Sequence, residues 1–290
     1  MKNLKKNKIK KILLTGSSGF VGGYLYKKLK KKYEIRKLKH KDLLKKKKLF
    51  LNTKFDYFIH AAASTNFNSK KKDIYKNNTS MIKKILLQYH NNNTIFINIS
   101  SISMFNNSNN KIISSTSKYA PDDDFSKSKV FIEKFLKKKK KFKKIISIRL
   151  PGVIGKNCTP NFSSKLIDDL RNDKKIDLYN VNHLFNNVIH IKNLLTVIKK
   201  IVKKKNFSKN YFNSIVLGSK NSIKLIDYFN FLKHKIGSNS ELQQIISNRK
   251  SFKLKISNSI KKDMFDIKEI LKLYLNYDIS RGYKRINKKS

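Results

Sequence analysis

Four of the nine glycines in this 290-residue chain fall within residues 16–23, in the stretch TGSSGFVGG. A chain that uses glycine so sparingly has a backbone reason for clustering it. An apolar run, Ile12–Leu14, precedes the glycines and ends at Thr15. After them Phe20, Val21, Tyr24, Leu25 and Leu29 recur at helical spacing. Strand, glycine turn and helix in that order place backbone N–H groups where an anion can reach them. Glycine lets such a turn be tight and lets a phosphate approach the chain closely. Gly16, Gly19 and Gly22 stand at the spacing this requires. A plain glycine turn could share that spacing, so the rest of the chain has to decide.

The rest alternates strands with helices. Ile35 and Leu38 mark a second strand, and FDYFIHAAAST (55–65) a third that closes in small residues. YKNNTSMIKKILLQYH (75–90) reads as a helix and TIFINISSIS (94–103) as a buried strand. FSKSKVFIEKFLKKKKKFKK starts as a helix whose lysine-rich end suits the negative pole of its dipole. IISIRLPGVIG (145–155) is one more strand running into a Pro/Gly turn. This order predicts an α/β fold with a doubly wound parallel sheet. Beyond Gly155 the pattern loosens into short amphipathic helices such as 222–237, which predicts a smaller C-terminal substrate-binding lobe. The expected boundaries are 10–160 and 161–290, with segments near 180–220 as candidates to return to the sheet. There is no internal repeat.

A net charge of +50 points at first to nucleic acid. However, 62 of the 68 basic residues are Lys, Ala occurs four times, and Asn and Ile are abundant in every segment. That usage follows from AT-rich codons rather than from one phosphate-binding face. A single-strand binder would interleave aromatics with Lys on one surface, and no such cluster stands out, so no specific nucleic-acid partner is expected. The one cysteine, Cys158, excludes an internal disulfide and fits a reducing compartment. No stretch approaches ~18 apolar residues, so no membrane span is expected. The basic N-terminus carries only ILL before the glycines, too short for a signal peptide. The expected location is cytoplasmic. No His pair has metal-ligand spacing, so no metal site is expected.

TGSSGFVG is T-G-x-x-G-x-x-G and resembles the extended short-chain dehydrogenase/reductase family, the NAD(P)-dependent epimerases, dehydratases and reductases of nucleotide sugars. Further landmarks follow in order. FDYFIHAAAST is similar to the family's strand-four motif and holds three of the four alanines. Asn78 matches the structural Asn of the next helix. INISSISMF places Ser101 at the catalytic Ser/Thr position, and FSKSKVFIEKF is similar to the Y-x-x-x-K helix, with Lys129 and a downstream Glu133. IRLPGVIGKN resembles the strand-six segment and NNVIHIKNLL the later H-V-x-D-L motif, with His190 and with Asn193 in place of Asp. The resemblance covers about residues 10–200.

The resemblance implies a Rossmann-type fold and a set of site residues. Thr15, Gly16, Ser18, Gly19, Phe20, Val21 and Gly22 would hold the cofactor's pyrophosphate. Ala61, Ala62 and Ala63 would line its path, Lys129 would bond the nicotinamide ribose, and Pro151 would join the site. Asp42 and Leu43 would lie near the adenine, as in dTDP-4-dehydrorhamnose reductases. NAD-binding members carry an acid at the end of the second strand; here stands Lys39, with Arg36, Lys37 and His40 around it. Cations there favour NADP over NAD. The implied partner is a nucleotide-sugar substrate, and the helix of FSKSKVFIEKF could serve a homodimer.

One residue departs from the family. Four residues before Lys129 stands Phe125 where the proton-transferring Tyr belongs, and Tyr119 is out of register. Phenylalanine has no ionisable proton. Three accounts remain open: the chain binds cofactor and sugar nucleotide but does little chemistry; another group, such as the Asp122–Asp124 run, moves the proton; or the proton comes from water. The expected function is reduction or epimerisation of a nucleotide-activated sugar for surface polysaccharide synthesis. The alternative is a catalytically impaired, cofactor-binding homologue with a regulatory or interaction role.

Overall fold

In the computed structural model, the residues described are 9–39, 42, 54–65, 73–89, 91–204, 206–207, 210–248 and 250–279. The first apolar run forms strand β1 (Lys11–Thr15), and the glycine turn delivers the chain into helix α1 (Phe20–Leu29). Strand β2 (Glu34–Leu38) follows, then β3 (Tyr57–His60), helix α2 (Ile74–Gln88) and strand β4 (Asn91–Ser101). Helix α3 (Asp124–Lys139), strand β5 (Phe142–Leu150) and strand β6 (Phe212–Val216) complete the central layer.

These six strands form one sheet in the order β6-β5-β4-β3-β1-β2. β1 pairs in parallel with β2 on one side and with β3 on the other, and β3 pairs in parallel with β4. This is the doubly wound, Rossmann-type order that the alternating pattern predicted. The chain leaves β1 in one direction and returns to its other side, so a crevice opens at the carboxyl ends of β1 and β3. Strands covered on both faces read as continuous apolar runs. Leu13, Phe58, Ile59, Phe96 and Ile97 accordingly have no accessible surface.

Helices α2 and α3 pack together on this sheet over a core of Leu13, Phe58, Ile82, Ile85, Phe96 and Ile132. Phe96 is its hub, with ring centres 4.8 Å from Phe58 and 4.6 Å from Phe142. Each such buried side chain contributes about 1.5–3 kcal/mol. The acidic run before α3 forms its start: Asp123 accepts the Ser126 N–H at 2.7 Å while the Ser126 hydroxyl accepts the Asp123 N–H at 3.0 Å. Asp124 opens the first turn, where the helix dipole favours an anion.

By contact the chain divides into two units. One comprises residues 1–104, 121–149 and 201–215; the other comprises 105–120, 150–200 and 216–290. The second unit has its own core, built on the helix Phe162–Arg171, the helix Leu225–Ile236 and buried Ile267, Ile270 and Leu271. Asparagine side chains act there as backbone substitutes. Asn186 accepts the Leu254 N–H at 2.7 Å and donates to the Leu254 carbonyl at 2.9 Å. No helix among the described residues is long and apolar enough to cross a membrane.

Candidate cofactor and catalytic site

At the carboxyl ends of the central strands lies a cavity of about 490 Å³ lined by Thr15, Gly16, Ser17, Ser18, Lys37, Leu38, Lys39, Ala62 and Met81. Three fingerprint glycines shape the turn beside it, for different reasons, and Gly16 lines it. Gly16 has φ +73°, and a Cβ there would lie 2.6 Å from the Ala61 carbonyl carbon. A Cβ on Gly22 would lie 2.1 Å from the Gly16 carbonyl oxygen, so α1 can start under the turn only with glycine there. Gly19 differs: its Cβ would meet nothing nearer than the Gly16 oxygen at 3.5 Å. Gly19 is the N-cap of α1, and no side chain caps the helix start. The residues therefore fit a dinucleotide: the chain's own packing does not demand glycine at 19, whereas a pyrophosphate resting on uncapped helix N–H groups would.

At the end of β2 the cavity wall is basic. Lys37 and Lys39 both line it, and the Lys37 ammonium lies 4.7 Å from the centre of the Tyr26 ring. Asp42 is bonded to the residue after β2, its carboxylate accepting the Lys39 N–H at 2.9 Å while its own N–H donates to the Lys39 carbonyl at 3.0 Å. Leu43 and His40 lie outside the described residues. Of the small residues ending β3, Ala62 lines the cavity, and Ala61 and Ala63 flank it in the same half-buried segment. Phe20 and Val21 form the first turn of α1.

Lys129 is buried on α3 and donates from Nζ to the Ile99 carbonyl at 3.1 Å, two residues before Ser101 at the end of β4. Its Nζ lies 5.3 Å from the centre of the Phe125 ring. Burial pushes its pKa down to about 8, against the opposing pull of Glu133. Ser101 is half-buried, and its hydroxyl accepts the Ser103 N–H at 3.1 Å. Asn78 braces this corner: its side chain accepts the Ser64 N–H at 2.7 Å and donates to the Ser64 carbonyl and the Ser128 hydroxyl, each at 3.0 Å. Asn78 thus ties α2 to the tail of β3 and to the residue before Lys129.

Two groups matter that local sequence did not mark together. Glu133, fully buried, accepts from Arg149 Nη2 at 2.7 Å and Nε at 3.2 Å and from the Ser147 hydroxyl at 2.7 Å. Burial alone would raise its carboxyl pKa, but the Arg149 guanidinium outweighs it and holds the pKa below the ordinary value. His60, at the end of β3, has Nδ1 2.8 Å from the Thr15 hydroxyl. Burial, and then the charge of Lys129, lower its pKa to about 3.

The remaining candidates lie in the second unit. Pro151 is buried there, and the Tyr119 ring stacks on Phe105 with centres 6.1 Å apart. The Cys158 Sγ lies 3.6 Å from the Tyr274 hydroxyl. Asn193 accepts the His190 N–H at 3.1 Å, so it serves at this helix start where relatives would carry Asp. Among the described residues no group of three His, Cys, Asp or Glu side chains is placed to hold a metal ion.

Residues 12–213 match the NAD dependent epimerase/dehydratase family. No curated protein matches the sequence. Solved structures share the fold at low identity. The UDP-glucuronic acid 4-epimerase from Bacillus cereus, solved with NAD, is 18% identical with a TM-score of 0.75 over 94% of this chain and 100% of its own. The UDP-N-acetylglucosamine 4-epimerase from Methanobrevibacter ruminantium M1, solved with UDP-N-acetylmuramic acid, is 16% identical with a TM-score of 0.74 over 94% and 99%. A dTDP-4-dehydrorhamnose reductase from Clostridium acetobutylicum is 19% identical with a TM-score of 0.70 over 93% and 99%. With the glycine turn at the crevice and a family match spanning most of the length, this chain belongs to the NAD dependent epimerase/dehydratase family.

Proposed function

We propose that this protein is an NADP-dependent reductase or epimerase of a nucleotide-activated sugar. The observation that carries the reading is Gly19: a glycine that the chain's own packing does not require, at an uncapped helix start beside the cavity. Thr15, Gly16, Ser18 and Gly19 would hold the pyrophosphate, with the first turn of α1, Phe20–Gly22, giving its N–H groups. Lys37 and Lys39 on the cavity wall support a 2′-phosphate and hence NADP. A bound nicotinamide supplies hydride exchange with a sugar carbon. Ser101 would orient the reacting oxygen, and Lys129 would bond the nicotinamide ribose. A role in surface polysaccharide synthesis rests on the family resemblance alone.

Calorimetric titration with NADPH and with NADH, at moderate salt to suppress non-specific phosphate binding, tests the reading. Selective binding of NADPH that reverses in Lys39→Glu supports it; binding of neither nucleotide sinks it. Phe125 favours a second reading, a cofactor-binding protein that transfers no proton. That reading predicts nucleotide binding without change in nicotinamide absorbance across a panel of UDP- and dTDP-sugars.

A further inference from the structure

We propose that His60 is a positioning residue of the cofactor cradle: Nδ1 accepts a hydrogen bond from the Thr15 hydroxyl and locks the end of β3 to the end of β1. The proposal rests on the cofactor reading above, because both segments it locks line the cavity. Thr15 and His60 are partners on the last rung of the β1–β3 ladder. The Thr15 oxygen also accepts the Ala62 N–H at 3.3 Å. The Ala62 N–H occupies one lone pair of the Thr15 oxygen, the Thr15 hydroxyl hydrogen points at Nδ1 as the acceptor, and the imidazole proton sits on Nε2. The relay thus runs from Ala62 N–H through the Thr15 O–H to His60.

The junction has little slack. A Cβ on Gly16 would lie 2.6 Å from both the Ala61 carbonyl carbon and the Ala62 nitrogen. The glycine turn and the Ala61–Ala62 peptide are therefore pressed together where Thr15, Gly16 and Ala62 line the cavity. His60 is only 1% exposed, so it acts through Thr15 rather than on a ligand. The groups facing it are Thr15 from β1, the Phe96 ring from β4 at 6.1 Å between centres, and the ammonium of Lys129 from α3. Burial and that cation keep the imidazole neutral, which preserves the acceptor the Thr15 hydroxyl needs.

The test compares His60→Asn with His60→Leu. Asn places an acceptor oxygen where Nδ1 stood; Leu does not. In titrations with NADPH and NADH, His60→Leu weakens affinity by about tenfold or more, while His60→Asn stays within about threefold of wild type. Nitrogen-15 spectra of the wild-type imidazole show the Nε2–H tautomer, unchanged from about pH 5 to about pH 8. An Nδ1–H tautomer, or Leu binding as well as Asn, overturns the proposal and leaves the cofactor reading intact. Wild-type protein that binds neither nucleotide overturns both. If His60→Leu does not fold, Thr15→Val against Thr15→Ser puts the same question from the other partner, and equal affinities there overturn the proposal.

Discussion

The ammonium nitrogen of Lys129 lies 5.3 Å from the centre of the Phe125 ring, one helical turn back on α3. A phenol on that ring would stand near a buried cation, and opposite charge nearby favours the ionised phenolate. Because Lys129 itself gives up its proton near pH 8, Phe125→Tyr should create a phenol whose ionisation is coupled to that of Lys129, so that the pair begins to lose protons below the phenol's usual ~10, read as a new ultraviolet absorbance step on raising pH. Nucleotide binding should be unchanged. If the proton step is what this chain lacks, turnover of a sugar nucleotide should rise by about 10²-fold or more. No gain in turnover would mean that the proton takes another route.

Two glycine substitutions should separate folding from binding. Gly22→Ala sets a methyl group 2.1 Å from the Gly16 oxygen, so the turn must shift and thermal stability must fall. Gly19→Ala has 3.5 Å of room and should unfold at the wild-type temperature. Nucleotide affinity should nonetheless drop at least tenfold, since the methyl enters the space a pyrophosphate would take. An unchanged affinity in Gly19→Ala would remove the main support for the cofactor reading.

Lys129 should cost stability that its removal recovers. Its pKa falls from 10.5 in the unfolded chain to about 8 in the fold, mainly through burial. Below about pH 8 both states carry the proton and the fold bears the full penalty, on the order of 3 kcal/mol. Between those values the unfolded state holds more protons, so this contribution to stability rises with pH. Lys129→Met should resist urea better than wild type near neutrality, and the gap should close as pH climbs through that window. The same variant should bind nucleotide less well, a stability cost kept for function.

How far these features were legible in the sequence follows from how local each one is. The glycine turn, the Ala61–Ala63 tail and the helix of Lys129 are short motifs whose spacing survives a lysine-rich composition. The Thr15–His60 bond was not legible, because it needs β1 and β3 to be neighbours although 45 residues separate the two side chains. Glu133 and Arg149 each sat in a matched motif, yet their pairing joins a helix to a strand. The acidic run at 122–124 reads as a loop until α3 is seen to begin inside it. Lysine itself misled: Lys144 ends a lysine-rich run that reads as the tail of a helix, yet it lies in β5, 4% exposed, and donates to the Asn210 carbonyl.

The two buried histidines should make the fold acid-labile. The pKa of His60 falls to about 3 and that of His190 to about 4, each mainly by burial. As pH drops through the ordinary value near 6.5, the unfolded chain takes up protons that the fold refuses. Stability is thus complete above that value and is lost progressively towards the folded pKa. Urea midpoints should fall between about pH 7 and about pH 5, and His60→Asn with His190→Asn should flatten the slope. An unaltered slope would place the acid sensitivity on carboxylates instead.

Arg149 and Glu133 supply the sharpest energetic prediction. Their side chains are 3% and 0% exposed and are joined at 2.7 Å, with Ser147 on the same carboxylate. Arg149→Met strands that carboxylate in the interior with Lys129 as its neighbouring cation, and should cost about 3–5 kcal/mol. The carboxyl pKa should rise in this variant, so lowering the pH should relieve part of the loss, the reverse of wild-type behaviour. Arg149→Met combined with Glu133→Leu should be more stable than Arg149→Met alone, because the unpaired charge is gone. If the double variant is the less stable one, Glu133 stabilises the fold even without Arg149, through the Ser147 hydroxyl and the charge of Lys129.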